Sequence, residues 1–141
     1  MEQQYVKDVM SKQLVRLAKD QPARAAAEQM KSEGIGSVIV EDDGRLFGLV
    51  TDRDLTVRVM AEGKDANKVS VGEVCSKELA SLSPEDSVDN AVKLMAKKGI
   101  RRIPVADDSG RAVGIVSLGD LAMERDPGSA LGSISSQRSN I

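Results

Sequence analysis

Val6-Lys7-Asp8-Val9-Met10-Ser11-Lys12 returns 65 positions later as Val71-Gly72-Glu73-Val74-Cys75-Ser76-Lys77, and the correspondence continues well beyond it. The same shift lays Met30 over Met95, Gly34-Ile35 over Gly99-Ile100, Val40 over Val105 and Asp42-Asp43 over Asp107-Asp108. Ser109 is one extra residue. Beyond it Gly44-Arg45 meets Gly110-Arg111, Gly48 meets Gly114, and Asp54-Leu55 meets Asp120-Leu121. About nineteen of fifty aligned positions are identical, where unrelated segments give about three. The chain is a tandem duplication.

Each copy has the same physical pattern. Ala23, Ala26, Ala27 and Met30 recur at helical spacing, as do Val88, Ala91, Val92 and Met95, so each copy is expected to carry a helix with one apolar face. Ser83-Pro84-Glu85-Asp86 reads as the start of the second of these helices, and Gly34 and Gly99 as the stops. Strands are expected at Ser37–Glu41, Leu46–Val50, Arg102–Ala106 and Ala112–Val116, joined in pairs by Asp/Gly hairpin turns. A short strand around Leu14–Leu17, or Leu79–Leu82, precedes each first helix. A second helix opens near Asp52 and Leu118. The reading is an α+β fold of two β-α-β-β-α units. A single unit is small for a core, so the two are expected to pack sheet-to-sheet with pseudo-twofold symmetry. Residues 1–64 form the first unit with its linker, 65–125 the second, and the Gly/Ser-rich 126–141 a flexible tail.

Composition removes several function classes. The 141 residues carry a net charge of −2 and no histidine, with one cysteine, Cys75. An internal disulfide, a His-ligated metal and a His-dependent triad are therefore excluded. Tyr5 and Phe47 are the aromatic residues, too few for base stacking, and no basic run suggests nucleic acid. No apolar run approaches the ~18 residues that span a bilayer, and the first ten residues lack a signal-like apolar region. The expectation is a cytoplasmic protein without membrane or nucleic-acid partners, and not an enzyme.

Two segments, one per copy, carry a specific resemblance. They are Gly34-Ile35-Gly36-Ser37-Val38-Ile39-Val40 with Gly48-Leu49-Val50-Thr51-Asp52-Arg53-Asp54-Leu55, and Gly99-Ile100-Arg101-Arg102-Ile103-Pro104-Val105 with Gly114-Ile115-Val116-Ser117-Leu118-Gly119-Asp120-Leu121. Over about residues 5–125 the chain closely resembles a tandem pair of CBS (cystathionine β-synthase type) domains, a Bateman module, of the stand-alone bacterial kind. The resemblance implies a non-catalytic regulatory module that binds an adenosine derivative (AMP, ADP, ATP or S-adenosylmethionine) in the cleft between units and signals by a change in packing. It implies no obligatory cofactor, a homodimer, and an unknown downstream protein. It also implies that Asp54 and Asp120 hold ribose hydroxyls, that Thr51 and Ser117 approach phosphate, and that backbone of Gly36, Ser37, Val38, Arg102, Ile103 and Pro104 meets adenine. Ile39 stands where the second copy has Pro104, and Gly119 where the first has Arg53, so the two clefts are chemically unequal.

Simpler readings stand beside these. Thr51-x-x-Asp54 and Ser117-x-x-Asp120 have capping-box spacing, though capping and ligand contact can coexist. Arg102 is a candidate phosphate contact or, with Lys97, Lys98 and Arg101, part of a solvated helix end. Asp42-Asp43 and Asp107-Asp108 lack calcium-loop spacing and read as turns. Cys75 aligns with Met10 and reads as an apolar filler. The competing function is a structural or protein-interaction module with vestigial ligand sites.

Overall fold

The structure, a computed structural model, describes residues 4–77 and 80–125. It is α+β, with a three-stranded and a two-stranded sheet. The expected tail, 126–141, lies outside the described residues. The spatial division differs from the division at residue 64. Among the described residues, those of 14–79 form one compact unit, and those of 1–13 and 80–141 form the other.

Hydrogen bonding explains why the opening segments change places. In the 14–79 unit, helix α4 (Val71–Val74) leads through its cap Cys75 to Ser76, which exchanges backbone hydrogen bonds with Leu49 in both directions, at 2.9 and 3.0 Å. Val71 N–H donates to Gln21 O at 2.7 Å and Ala23 N–H to Val69 O at 2.8 Å. The other unit repeats the arrangement: α1 (Val6–Val9) leads to Ser11, which pairs with Ile115 at 2.8 and 3.0 Å. Val6 is fully buried there, against Leu82, Val88 and Val105. Glycine makes the approach possible. A Cβ on Gly48 would lie 2.6 Å from Cys75 Sγ and 2.7 Å from Ser76 O, and one on Gly114 would overlap Met10.

The 14–79 sheet runs β1 (Arg16–Ala18), β2 (Ser37–Asp42), β3 (Arg45–Thr51), with β1 parallel to β2 and β3 antiparallel to it. The other sheet pairs β4 (Arg102–Ala106) with β5 (Ala112–Ser117). Both hairpins bulge at equivalent places, Val40/Glu41 and Val105/Ala106. The strand expected around Leu79–Leu82 is reduced to one parallel bridge, Leu82 to Val105. Leu79 itself lies outside the described residues. Lys19 N–H continues the first ladder to Glu41 O at 2.9 Å, and its counterpart is Pro84, which has no N–H to give.

Helices α2 (Ala23–Glu33) and α5 (Val88–Lys98) stop at Gly34 and Gly99, with φ of 65° and 64°. The start signal at Ser83 is corrected. Ser83-Pro84-Glu85-Asp86 is a turn, with Asp86 N–H on Ser83 O at 3.0 Å and Ser83 N–H on Asp86 Oδ2 at 2.8 Å. That turn uses up the serine, so the cap passes to Ser87, whose Oγ accepts from Asn90 N–H at 3.1 Å. The apolar faces also turn from the expected setting: Ala23, Ala26, Val88, Ala91 and Met95 are buried, while the paired positions Ala27 and Val92 are exposed. The Asp-rich links are hairpin turns. Asp43 and Gly44 have φ of 52° and 79°, as a tight hairpin requires. Asp107 Oδ1 accepts from Ser109 N–H, Ser109 Oγ and Arg111 N–H.

Gly48→Ala is expected to destabilise the fold by about 1–3 kcal/mol in urea unfolding, because the added methyl meets backbone as well as Cys75. Adding Cys75→Ala should recover part of that loss, and full additivity of the two changes would contradict the packing described.

Candidate functional site

β3 ends at Thr51 and α3 (Asp52–Leu55) begins at once, continuing into a π-helical turn, Thr56–Met60. Thr51 Oγ1 accepts from Asp54 N–H at 3.1 Å, and Asp54 Oδ2 accepts from Thr51 N–H at 2.9 Å. The capping box is therefore complete. Its carboxylate also reaches outward: Asp54 Oδ1 accepts from Ser76 Oγ at 3.4 Å and lies 3.9 Å from Arg58 Nε. Asp54 is only 7% exposed, so these groups replace most of its water. Arg58 in turn donates Nη1 hydrogen bonds to Val74 O and Cys75 O at 3.2 and 3.0 Å.

The structure brings Gly36, Ser37 and Val38 to the same end of the sheet as Thr51. Ser37 and Val38 pair across the ladder with Thr51 and Val50, and Gly36 O accepts from Asp52 N–H at 3.0 Å. Val38 points its side chain into the core and has only backbone to offer. Ser37 Oγ is buried with no hydrogen-bond partner among the described residues.

The other unit builds the same end with different chemistry. Ser117 N–H donates to Asp120 Oδ2 at 3.0 Å, and Ser117 Oγ accepts from Asp120 N–H at 3.1 Å. Arg102 pairs in register with Ser117 and Ile103 with Val116. Ile103 faces the core, and Pro104 O accepts from Leu82 N–H at 3.0 Å. Glu124 occupies the position that Arg58 holds one repeat earlier. Burial pushes the Asp120 carboxyl above the usual range, and its hydrogen bonds with Ser117 oppose the shift.

Within the 14–79 unit an open cavity of about 430 Å³ is lined by Arg58, Glu73, Cys75, Ser76 and Lys77. None of the residues expected from sequence lines it; Asp54 adjoins it through Ser76 and Arg58. Arg58, four residues past Asp54, and Ser76, the repeat partner of Ser11, were missed. The i,i+4 spacing and the duplicated serine were the available signals. Cys75 is 2% exposed, its Sγ donates to Gly72 O at 3.5 Å, and burial pushes its thiol up, so it behaves as a filler. Among the described residues no cluster of three or more His, Cys, Asp or Glu could hold a metal ion. Nor is any described helix long and apolar enough to cross a membrane.

The CBS-domain family model matches the chain twice, at residues 6–61 and 71–126. The chain belongs to the CBS-domain family. It is 42% identical over 136 residues to the CBS domain-containing protein YhcV of Bacillus subtilis, covering 94% of this chain and 96% of that one. Hypoxic response protein 1 of Mycobacterium tuberculosis is 32% identical over 117 residues, 82% of this chain and 81% of its own. A solved structure of the CBS domain pair of protein MJ0100, in complex with 5′-methylthioadenosine and S-adenosyl-L-methionine, superposes with a TM-score of 0.76. It is 26% identical and covers 86% of this chain and 94% of that one. The fold is that of a CBS pair.

A carboxyl with a raised pKa binds its proton more tightly in the folded than in the unfolded chain. Its ionisation therefore weakens the fold at neutral pH, and that loss recovers as pH falls through the raised pKa toward the usual 3.8. The stability difference between wild type and Asp120→Asn, read by urea unfolding, is expected to move in favour of wild type between pH 7 and pH 4. A pH-independent difference would contradict the burial of Asp120.

Proposed function

We propose that the protein is a non-catalytic regulatory module that binds an adenosine derivative at the strand ends carrying Thr51–Asp54 and Ser117–Asp120. The observation that carries this reading is the duplicated constellation itself. In each copy a buried strand end, a helix start, a hydroxyl and a carboxylate are held together by hydrogen bonds in both directions. A carboxylate has about four acceptor positions, and the box uses one of them, so each Asp retains lone pairs for the two hydroxyls of a ribose. Thr51 and Ser117 stand beside them where a phosphate would sit. The backbone of Gly36–Val38 and Arg102–Pro104 runs alongside for the adenine.

The family relationship and the ligands named for the MJ0100 pair support the choice of an adenosine compound. The ligand acts by favouring one arrangement of the protein over another, which requires unequal affinity for the two arrangements. The protein works in the cytoplasm as a homodimer, signals to a downstream protein and needs no obligatory cofactor. The exposed side chains of Val57, Met60, Val92 and Leu118 are available to a partner copy.

Thermal-shift and calorimetric titrations with AMP, ADP, ATP and S-adenosylmethionine test this. At a hundred times its dissociation constant a true ligand stabilises by about 2.7 kcal/mol. Asp54→Ala and Asp120→Ala should each remove binding at their own strand end while the chain remains folded. No response to any adenosine compound would favour the reading in which both boxes are only helix caps of a structural module. Sedimentation at several concentrations is expected to give a dimer.

A further inference from the structure

The β4–β5 hairpin has a covering segment along each outer edge, and the two segments are tied to one another. Along β5, Ser11 exchanges backbone hydrogen bonds with Ile115 at 2.8 and 3.0 Å. Along β4, Leu82 N–H donates to Pro104 O at 3.0 Å, and Leu82 O accepts from Ala106 N–H at 2.9 Å. Between the segments, Val6 N–H donates to Asp86 O at 2.8 Å, Lys7 N–H to Pro84 O at 3.0 Å and Val88 N–H to Gln4 O at 3.0 Å. Lys7 Nζ also lies 3.1 Å from Glu85 Oε2. Residues 4–11 and 82–88 thus make one belt around the hairpin.

The 14–79 unit builds the matching belt with more rungs. There Ile39 N–H donates to Val15 O and Lys19 N–H to Glu41 O, both at 2.9 Å, on either side of Leu17. Pro104 and Pro84 hold the repeat positions of Ile39 and Lys19. Neither has an N–H, so both outer rungs are lost, and among the described residues Leu82 alone joins the belt to β4. Fewer backbone hydrogen bonds lower the free energy of local opening.

We infer that the belt of residues 4–11 and 82–88 opens as one cooperative piece, a conformational switch confined to its own unit, while its counterpart in the 14–79 unit stays shut. Because each segment is bonded to the other, release of Leu82 from β4 loosens the hold of Val6 and Ser11 as well. Opening bares the buried side chains of Val6 and Leu82 and frees both edges of the hairpin. The belt grips Ile115, two residues before Ser117, so the strand end carrying the Ser117–Asp120 box has a held and a released form whichever ligand it takes.

Native-state amide hydrogen exchange of the full chain, without ligand and corrected for intrinsic rates, tests this. Val6, Lys7, Ser11 and Ile115 are expected to be about tenfold or more less protected than their repeat partners Val71, Gly72, Ser76 and Leu49. The first four should share one opening equilibrium, with a common dependence on urea below the unfolding transition. Val6→Ala should lower protection at Leu82 and Ser11 by the same factor and leave Ser76 and Leu49 unchanged. Pro84→Ala supplies the N–H that Lys19 gives in the other unit. It should raise protection at Ser11, on the far edge of the hairpin, about threefold or more, and it decides the matter if Val6→Ala does not fold. Equal protection of the two sets of amides would overturn the inference. So would a Pro84→Ala effect that stops at the β4 edge, because the two segments would then move separately.

Discussion

Two backbone hydrogen bonds, Leu49 to Ser76 and Ser76 to Leu49, place almost everything that matters in the 14–79 unit. They zip a segment from beyond the linker onto the free edge of β3, and they can form only because Gly48 has no side chain to stand between the chains. Once the zip is closed, Ser76 lies beside Asp54, the carbonyls of Val74 and Cys75 face Arg58, and Lys77 comes near Phe47. The capping box alone would orient a carboxylate. The imported segment gives that carboxylate its neighbours.

Features whose cause is local were legible in the sequence. Gly34 and Gly99 end their helices because a left-handed residue is needed there, and nothing distant bears on it. The hairpins followed from Asp-Gly chemistry, and the boxes from a spacing of three residues. Long-range pairing was not legible. Nothing in the alternation of Arg16–Ala18 and its counterpart says that one completes a ladder while Pro84 breaks the other. Hydrophobic period placed Ala27 and Val92 on the inner face, yet a buried stripe only two residues wide per turn leaves them outside. Ser83 reads as a cap because Pro and two acids follow it. The turn those same residues form is the competing use of that signal.

Duplication explains both the likeness of the two strand ends and the freedom with which they have diverged. The hydrogen bonds within each box are the same to within about a tenth of an ångström, since they satisfy backbone that must be satisfied in any folded copy. The residues around the box answer to no such demand. At one end an arginine lies 3.9 Å from the carboxylate; at the other its position is held by glutamate, and burial pushes the half-buried Asp120 carboxyl above its usual range. Ser37 at one end is replaced by Arg102 at the other.

That divergence has a direct chemical consequence. On the adenosine reading proposed above, ribose hydroxyls at Asp54 would meet a carboxylate already partly balanced by Arg58. At the other end Arg102 pairs in register with Ser117, Glu124 follows Asp120, and on the same reading the hydroxyls would meet a carboxyl that burial makes reluctant to ionise. A single compound is then expected to bind the two ends unequally. On the reading proposed above the two strand ends are two unlike receptors, and a ligand at either one shifts the conformation only by binding one arrangement of the protein more tightly than the other.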